Sequence, residues 1–191
     1  MGSKFAVTDL SVAEIEKQRD ELSSIKELKQ KDLNDSFKYR VTVCYPLIDI
    51  DKTKYGFGQK FNTTDTLEYF KIMKKFANNK LSDLFKNKKE YHLSPTPINE
   101  NIKKALQTIF PDVDPYDFRE FMFHFGLYTD EKGNANRDAD VRSPRIHFLL
   151  GSYGYIYPLF FDPYHEIQPG KSKKPKYIDR AKLGQKIKKR K

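Results

Sequence analysis

Three segments between residues 121 and 161 restrict this chain more than any other feature. In Phe121-Met122-Phe123-His124-Phe125-Gly126-Leu127-Tyr128, phenylalanine alternates with other residues. That two-residue repeat is the pattern of a strand. Arg145–Leu150 and residues 155–161 are further runs of aromatic and branched side chains, separated by Gly151-Ser152-Tyr153-Gly154. So short a link reads as a hairpin turn. A turn centred between Ser152 and Tyr153 sets Leu149 opposite Ile156, His147 opposite Pro158 and Arg145 opposite Phe160. Arg145, His147 and Leu149 then share one sheet face, and Ile146, Phe148 and Leu150 share the other.

The upstream chain supplies helices to cover such a sheet. Residues 39–50 are β-branched and apolar and read as a strand ending near Pro46. A loop follows, in which Gly56-Phe57-Gly58 is too short for a nucleotide-binding fingerprint and reads as a turn. Leu67, Phe70, Met73, Phe76, Ala77, Leu81 and Leu84 recur at helical spacing and predict one helix over about 65–86, with Lys71, Lys74, Lys75 and Lys80 on a solvated face. Thr96 as cap, Pro97 in the first turn and Pro111 as the stop predict a second helix carrying Ile98, Ile102, Leu106 and Ile109. Residues 112–117 form an acidic turn, and residues 129–144 an exposed polar loop. Near the N-terminus, Ser11-Val12-Ala13-Glu14 is a capping box that opens a polar helix reaching about Asp35. The expected fold class is α+β: a single antiparallel sheet with two packed helices. An amphipathic helix (1–37) is appended to the globular domain (38–169), and an extended or disordered basic tail (170–191) follows it.

Charge separates body from tail. The net charge is +10, and residues 170–191 hold eleven of the 36 Lys and Arg but one of the 26 acids, which leaves 25 of each in the preceding 169 residues. So dense a like-charge run repels itself and does not pack. It binds polyanions by releasing their condensed counterions. Lys171, Lys173, Lys174, Lys176, Lys186, Lys188, Lys189 and Arg190 are therefore the candidate nucleic-acid-binding residues, with RNA, DNA or the ribosome as partner. Few apolar anchors accompany them, which argues against a membrane surface. The single cysteine, Cys44, allows no intramolecular disulfide and reads as a buried strand thiol. No apolar segment has the length of a membrane span and the first ten residues are too polar for a signal peptide, so a cytoplasmic location is expected. Ala6 stands where a myristoylation site wants Ser or Thr.

The candidate chemistry lies at one end of the sheet. Tyr128, Arg145, His147, Tyr164 and His165 converge there if the strands pair as above, with His124 beside them. An RNA-cleaving site without metal or cofactor needs a base for the ribose 2′-hydroxyl, a cation on the phosphate and an acid for the leaving oxygen. Histidine and tyrosine carry protons, and arginine grips phosphate through two hydrogen bonds. A metal set of His124, His147, His165 and Asp162 has no recognised ligand spacing to support it.

Arg145-Ile146-His147-Phe148, a short turn, Tyr155-Ile156-Tyr157-Pro158-Leu159-Phe160-Phe161 and then Tyr164-His165 resemble the RelE/ParE superfamily of bacterial toxins. So does the succession of strand, two helices and three antiparallel strands over residues 38–167. The resemblance implies that Arg145 holds the phosphate and that Tyr164 and His165 transfer protons in an endoribonuclease, a hydrolase of toxin–antitoxin systems that cuts mRNA on the ribosome. It also implies an antitoxin partner, for which the N-terminal helix is the available surface. Two other classes fit the same residues. One is a non-catalytic nucleic-acid-binding protein of a phage or mobile element, anchored by its tail. The other is an interaction protein, for instance an inhibitor of a host nuclease, that meets a basic partner through its N-terminal helix and the acidic loop Asp130, Glu131, Asp138 and Asp140.

Overall fold

The computed structural model describes residues 35–127 and 144–167. The appended helix, apart from residues 35–37, lies outside the described residues, as do Tyr128, most of the polar loop and the basic tail. Five strands form one sheet: β1 (Thr42–Val43), β2 (Ser94–Pro95), β3 (Met122–Gly126), β4 (Arg145–Leu150) and β5 (Tyr155–Asp162), in the order β1-β5-β4-β3-β2. The class is α+β as expected, but the sheet is mixed. β1 runs parallel to β5, with Thr42 opposite Tyr155 and Val43 opposite Ile156, while every other pair is antiparallel. The antiparallel expectation came from the hairpin, whose tight turn sets only the β4–β5 direction. β1 reaches β5 across the whole intervening chain, and so long a connection permits a parallel pair. Of residues 39–50 only Thr42–Val43 is strand. The chain turns at Pro46, where the Ile48 amide donates to the Tyr45 carbonyl at 3.0 Å. Cys44 follows the strand half-buried rather than sealed in the core.

The β4–β5 register also departs from the simple hairpin. Leu150 faces Ile156 and Leu149 faces Tyr157, then a bulge between His147 and Phe148 shifts the pairing, so that His147 faces Phe160 and Arg145 faces Asp162. Pro158, which has no amide hydrogen to donate, sits opposite Phe148 at this irregularity. The carbonyl of Leu159 beside it turns to the Asp49 amide, at 3.0 Å. One extra residue in β5 thus brings Asp162 opposite Arg145.

Beyond residue 40, the helices among the described residues are α1 (Phe57–Lys60), α2 (Thr63–Ala77), α3 (Leu81–Lys86), α4 (Lys88–Tyr91) and α5 (Glu100–Ile109). A 3₁₀ turn at Pro115–Phe118 precedes β3. The single helix expected over 65–86 is therefore α2 and α3. At the start of α2, the Asn62 side chain accepts from the Asp65 amide at 2.9 Å, and the Asp65 carboxylate accepts from the Asn62 amide at 3.1 Å. Between the two helices the chain is held by the segment before β1. The Val41 amide donates to Asn79 and the Leu81 amide to Tyr39, at 3.1 and 3.0 Å. Pairing with a distant segment outweighs helical propensity there. The cap of α5 is Asn99, accepting from the Asn101 and Ile102 amides, and not Thr96.

Rings fill one face of the sheet. Phe123 and Phe125 alternate along β3 and meet Phe85 of α3 and Phe76 of α2, with ring centres 5.1 and 5.2 Å apart. Phe161 of β5 meets Phe61 at 4.9 Å. Leu67 and Phe70, which share the helical spacing of that buried face, are exposed on α2. Phe76→Ala should therefore lower stability by about 3–5 kcal/mol. Leu67→Ser and Phe70→Ser should each change it by less than about 0.5 kcal/mol in urea unfolding. Among the described residues no helix is long and apolar enough to cross a membrane.

Candidate functional site

The other face of the sheet carries polar groups. Alternation that turns Phe123 and Phe125 toward the helices turns His124 the opposite way. His147 lies directly across from it on β4, and the two imidazole rings are 5.4 Å apart. Thr96 closes over them from the end of β2, where its amide donates to the Met122 carbonyl at 2.8 Å. Its hydroxyl is hydrogen-bonded to Nδ1 of His124 at 2.9 Å and to Nδ1 of His147 at 3.1 Å. Thr96 is 1% exposed and His147 0%, so this junction is sealed.

The segment after β5 supplies the rest. Asp162, buried opposite Arg145, accepts the amides of Glu166 and Ile167, each at 2.9 Å. That cap folds the chain back and buries His165, whose φ is 57°. α5 pins the same segment, with the Asn101 side-chain amide donating to the Glu166 carbonyl at 2.8 Å. His92, two residues before the partner of His124 on β2, ends α4 with φ at 49°. Left-handed backbone is uncommon outside glycine and is held in place only by its surroundings. Two of the three non-glycine residues that adopt it among the described residues are thus histidines of this group. The chain has four histidines; His124 and His147 are in contact, and His165 and His92 lie near enough to act on His124 through their charges.

Electrostatics keep the inner pair neutral. Burial lowers the pKa of His124 to about 3, and Arg145, His165 and His92 lie close enough for their charges to add to that depression. Burial likewise holds His147 well below the ordinary imidazole value, with His124, Arg145 and His165 contributing. Asp162 is pushed up, chiefly by burial, against the opposing pull of its two amide donors and Arg145. Nε2 of His147 stands 3.9 Å from Asp162 Oδ2, which for a neutral ring is a dipole facing a carboxylate and not an ion pair.

Hydrogen-bond valence then orders the protons. A hydroxyl has one hydrogen to give, so at most one Nδ1 accepts from Thr96 and the other must carry a proton. A lone pair on Nε2 of His147 would face the Asp162 carboxylate, whereas an N–H is attracted to it. His147 is accordingly protonated on Nε2 and accepts from Thr96 through Nδ1. His124 donates from Nδ1 to the hydroxyl oxygen, which leaves its Nε2 as a lone pair. This order leaves one unprotonated imidazole nitrogen, Nε2 of His124.

Of the residues singled out from sequence, Arg145, His147 and His165 come together as expected. Tyr164 adjoins His165 half-exposed, and Tyr128 lies outside the described residues. His147 is sealed, so it acts only through its neighbours. Thr96 was read as a helix cap, because its local pattern is that of one, and His92 escaped because nothing in its local pattern marks it. The scarcity of histidine, four in 191 residues, was the one available signal. Among the described residues no three His, Cys, Asp or Glu side chains are grouped as metal ligands. No family model, curated protein or solved structure matches the chain.

Proposed function

We propose that this protein acts on nucleic acid, cutting RNA without a metal ion at the histidine–arginine group. The His124–Thr96–His147 junction, with Arg145, His165 and His92 near enough to act on His124 through their charges, is the observation that carries the reading. In this scheme Arg145 grips the scissile phosphate, and Nε2 of His124 takes the proton from the ribose 2′-hydroxyl. The 2′-oxygen attacks phosphorus and the bond to the 5′-oxygen breaks. His165, or Tyr164 beside it, returns a proton to that oxygen. The products are a 2′,3′-cyclic phosphate and a 5′-hydroxyl. A base with a pKa near 3 is weak until substrate binds. A bound phosphate offsets the charge of Arg145 and so raises the basicity of His124 when substrate is present. His147 and Thr96 are positioning residues. The basic tail, Lys171 to Lys191, supplies sequence-independent affinity. A resemblance to RelE/ParE toxins agrees with these roles for Arg145, Tyr164 and His165, and makes ribosome-bound mRNA the natural substrate.

The sealed position of His147 favours a second reading, in which the polar junction only fixes the sheet and the protein binds nucleic acid without cutting it. Incubation of the purified chain with end-labelled RNA in EDTA, alongside expression from a tight promoter, separates the two. Cleavage to cyclic-phosphate ends, reduced at least about 100-fold by Arg145→Ala, supports the enzyme. If the folded native chain leaves RNA intact and growth normal, the binding reading stands. Deleting residues 171–191 should then abolish retention of RNA on a filter.

A further inference from the structure

Away from the histidines, the hairpin between β4 and β5 builds a second surface. Tyr153 is 62% exposed, Tyr39 43% and Tyr155 37%; Tyr39 is in contact with Tyr153, and Tyr155 follows two residues on. Their arrangement is held from beneath. The buried Ser36 hydroxyl donates to the Gly151 carbonyl at 2.9 Å, tying the segment before β1 to the turn. Gly154 has φ at 79°, and a Cβ there would lie 2.6 Å from the Arg40 carbonyl oxygen, so only glycine lets the turn approach so closely. Tyr39 and Tyr153 then meet edge to face with ring centres 5.4 Å apart, and Tyr155 lies near-parallel to Tyr157 at 6.4 Å. Tyr153 takes φ at 55°, a left-handed backbone that holds its ring out from the hairpin.

Charge completes the surface. Arg40 and Lys80 are bridged to one another through their backbones, and both are exposed. Among the described residues neither has an acidic partner within ion-pair distance. Lys38 beside them is paired with Asp35 at 2.7 Å. Rigid exposed rings next to unneutralised cations match a ligand that has flat π faces and a phosphate backbone. We propose that Tyr39, Tyr153 and Tyr155, flanked by Arg40 and Lys80, form a stacking platform for the unpaired bases of a single-stranded nucleic acid.

The platform is testable apart from any cleavage, because oligothymidine lacks the 2′-hydroxyl that the proposed reaction needs. Fluorescence anisotropy of labelled oligothymidine with the full chain, at low salt and at about 0.5 M salt, reads the two contributions, since added salt screens the tail. Tyr153→Ala should weaken binding about 5- to 150-fold at the higher salt, the span expected for one lost base–ring stack. Tyr153→Phe keeps the ring and should bind like the native chain. An abasic oligomer with the same number of phosphates should bind native chain and Tyr153→Ala equally. Oligouridine in a parallel arm tells whether RNA is preferred over DNA, and stacking on either supports the platform. Equal binding of oligothymidine by native chain and a folded Tyr153→Ala/Tyr155→Ala variant overturns the proposal. So does a native chain that binds neither oligomer at either salt.

Discussion

Acidification from about pH 7.5 to about pH 5 will remove on the order of 2 kcal/mol of folding stability through His124 alone, with His147 adding to the loss, a large share of what a domain this size has. The cause is the buried imidazole pair. His124 and His147 both have depressed pKa values in the folded protein, mainly through burial. An unfolded chain binds protons on these rings below pH 6.5, whereas the folded one excludes them. Their stabilising contribution is therefore complete above 6.5 and drains away as pH falls, at about 1.4 kcal/mol per unit for each ring. For His124 the loss continues until the folded ring itself protonates, near 3. Asp162 works the other way. Its raised pKa means that the folded state takes up a proton first as pH falls, so it returns some stability at the acid end of the range. Urea midpoints measured across this interval should fall steadily. His147→Leu should roughly halve the slope. A midpoint that stays level from about pH 7 to about pH 5 would mean that the two rings are not held neutral.

Thr96→Val should be the most damaging single change at the site despite its equal size. Valine fills the same space but removes the hydroxyl that both Nδ1 atoms share. One ring is left with a buried N–H and the other with a buried lone pair, each costing about 1–3 kcal/mol when unsatisfied. The sum is about 2–6 kcal/mol, or a drop of roughly 4–24 °C in thermal unfolding for a chain of this length. Thr96→Ser retains the hydroxyl and should recover most of the loss. The catalytic reading adds a separate signature. Without the hydroxyl nothing keeps the His124 proton on Nδ1, so the RNA cleavage rate should collapse and its dependence on pH should change shape. If Thr96→Val unfolds at the native temperature, the junction does not hold the two rings. If it cleaves RNA at the native rate and pH profile, His124 is not the base.

The outcome for particular elements shows how far local pattern reaches. β4 was legible to the residue, and β3 and β5 nearly so, because alternating Phe marks β3 and runs of aromatic and branched side chains bounded by a short turn mark β4 and β5. The first helix was legible in place but not in extent. Leu67 and Phe70 continue the apolar spacing of Met73 and Phe76, yet nothing packs over them, since spacing reports a face and not its cover. Thr96 carries the sequence signs of a helix cap, and its hydroxyl is instead drawn to two buried imidazoles that need it more. Of the site, Arg145, His147 and His165 could be found because they sit in or beside legible strands. His92 could not, since it lies on a short helix end with no pattern of its own.

By itself the amino-acid order determined the α+β class, the three central strands, the hairpin that joins two of them and the separation of a neutral body from a basic end. Each of these follows from the side-chain repeat or charge of a contiguous stretch. The tertiary structure alone decided the parallel seating of β1, the bulge that sets Arg145 against Asp162 and the meeting of His92, Thr96, His124 and His165. Those depend on which distant backbone groups find partners and which polar atoms are sealed from water, energies that arise only once segments far apart in the chain are packed together.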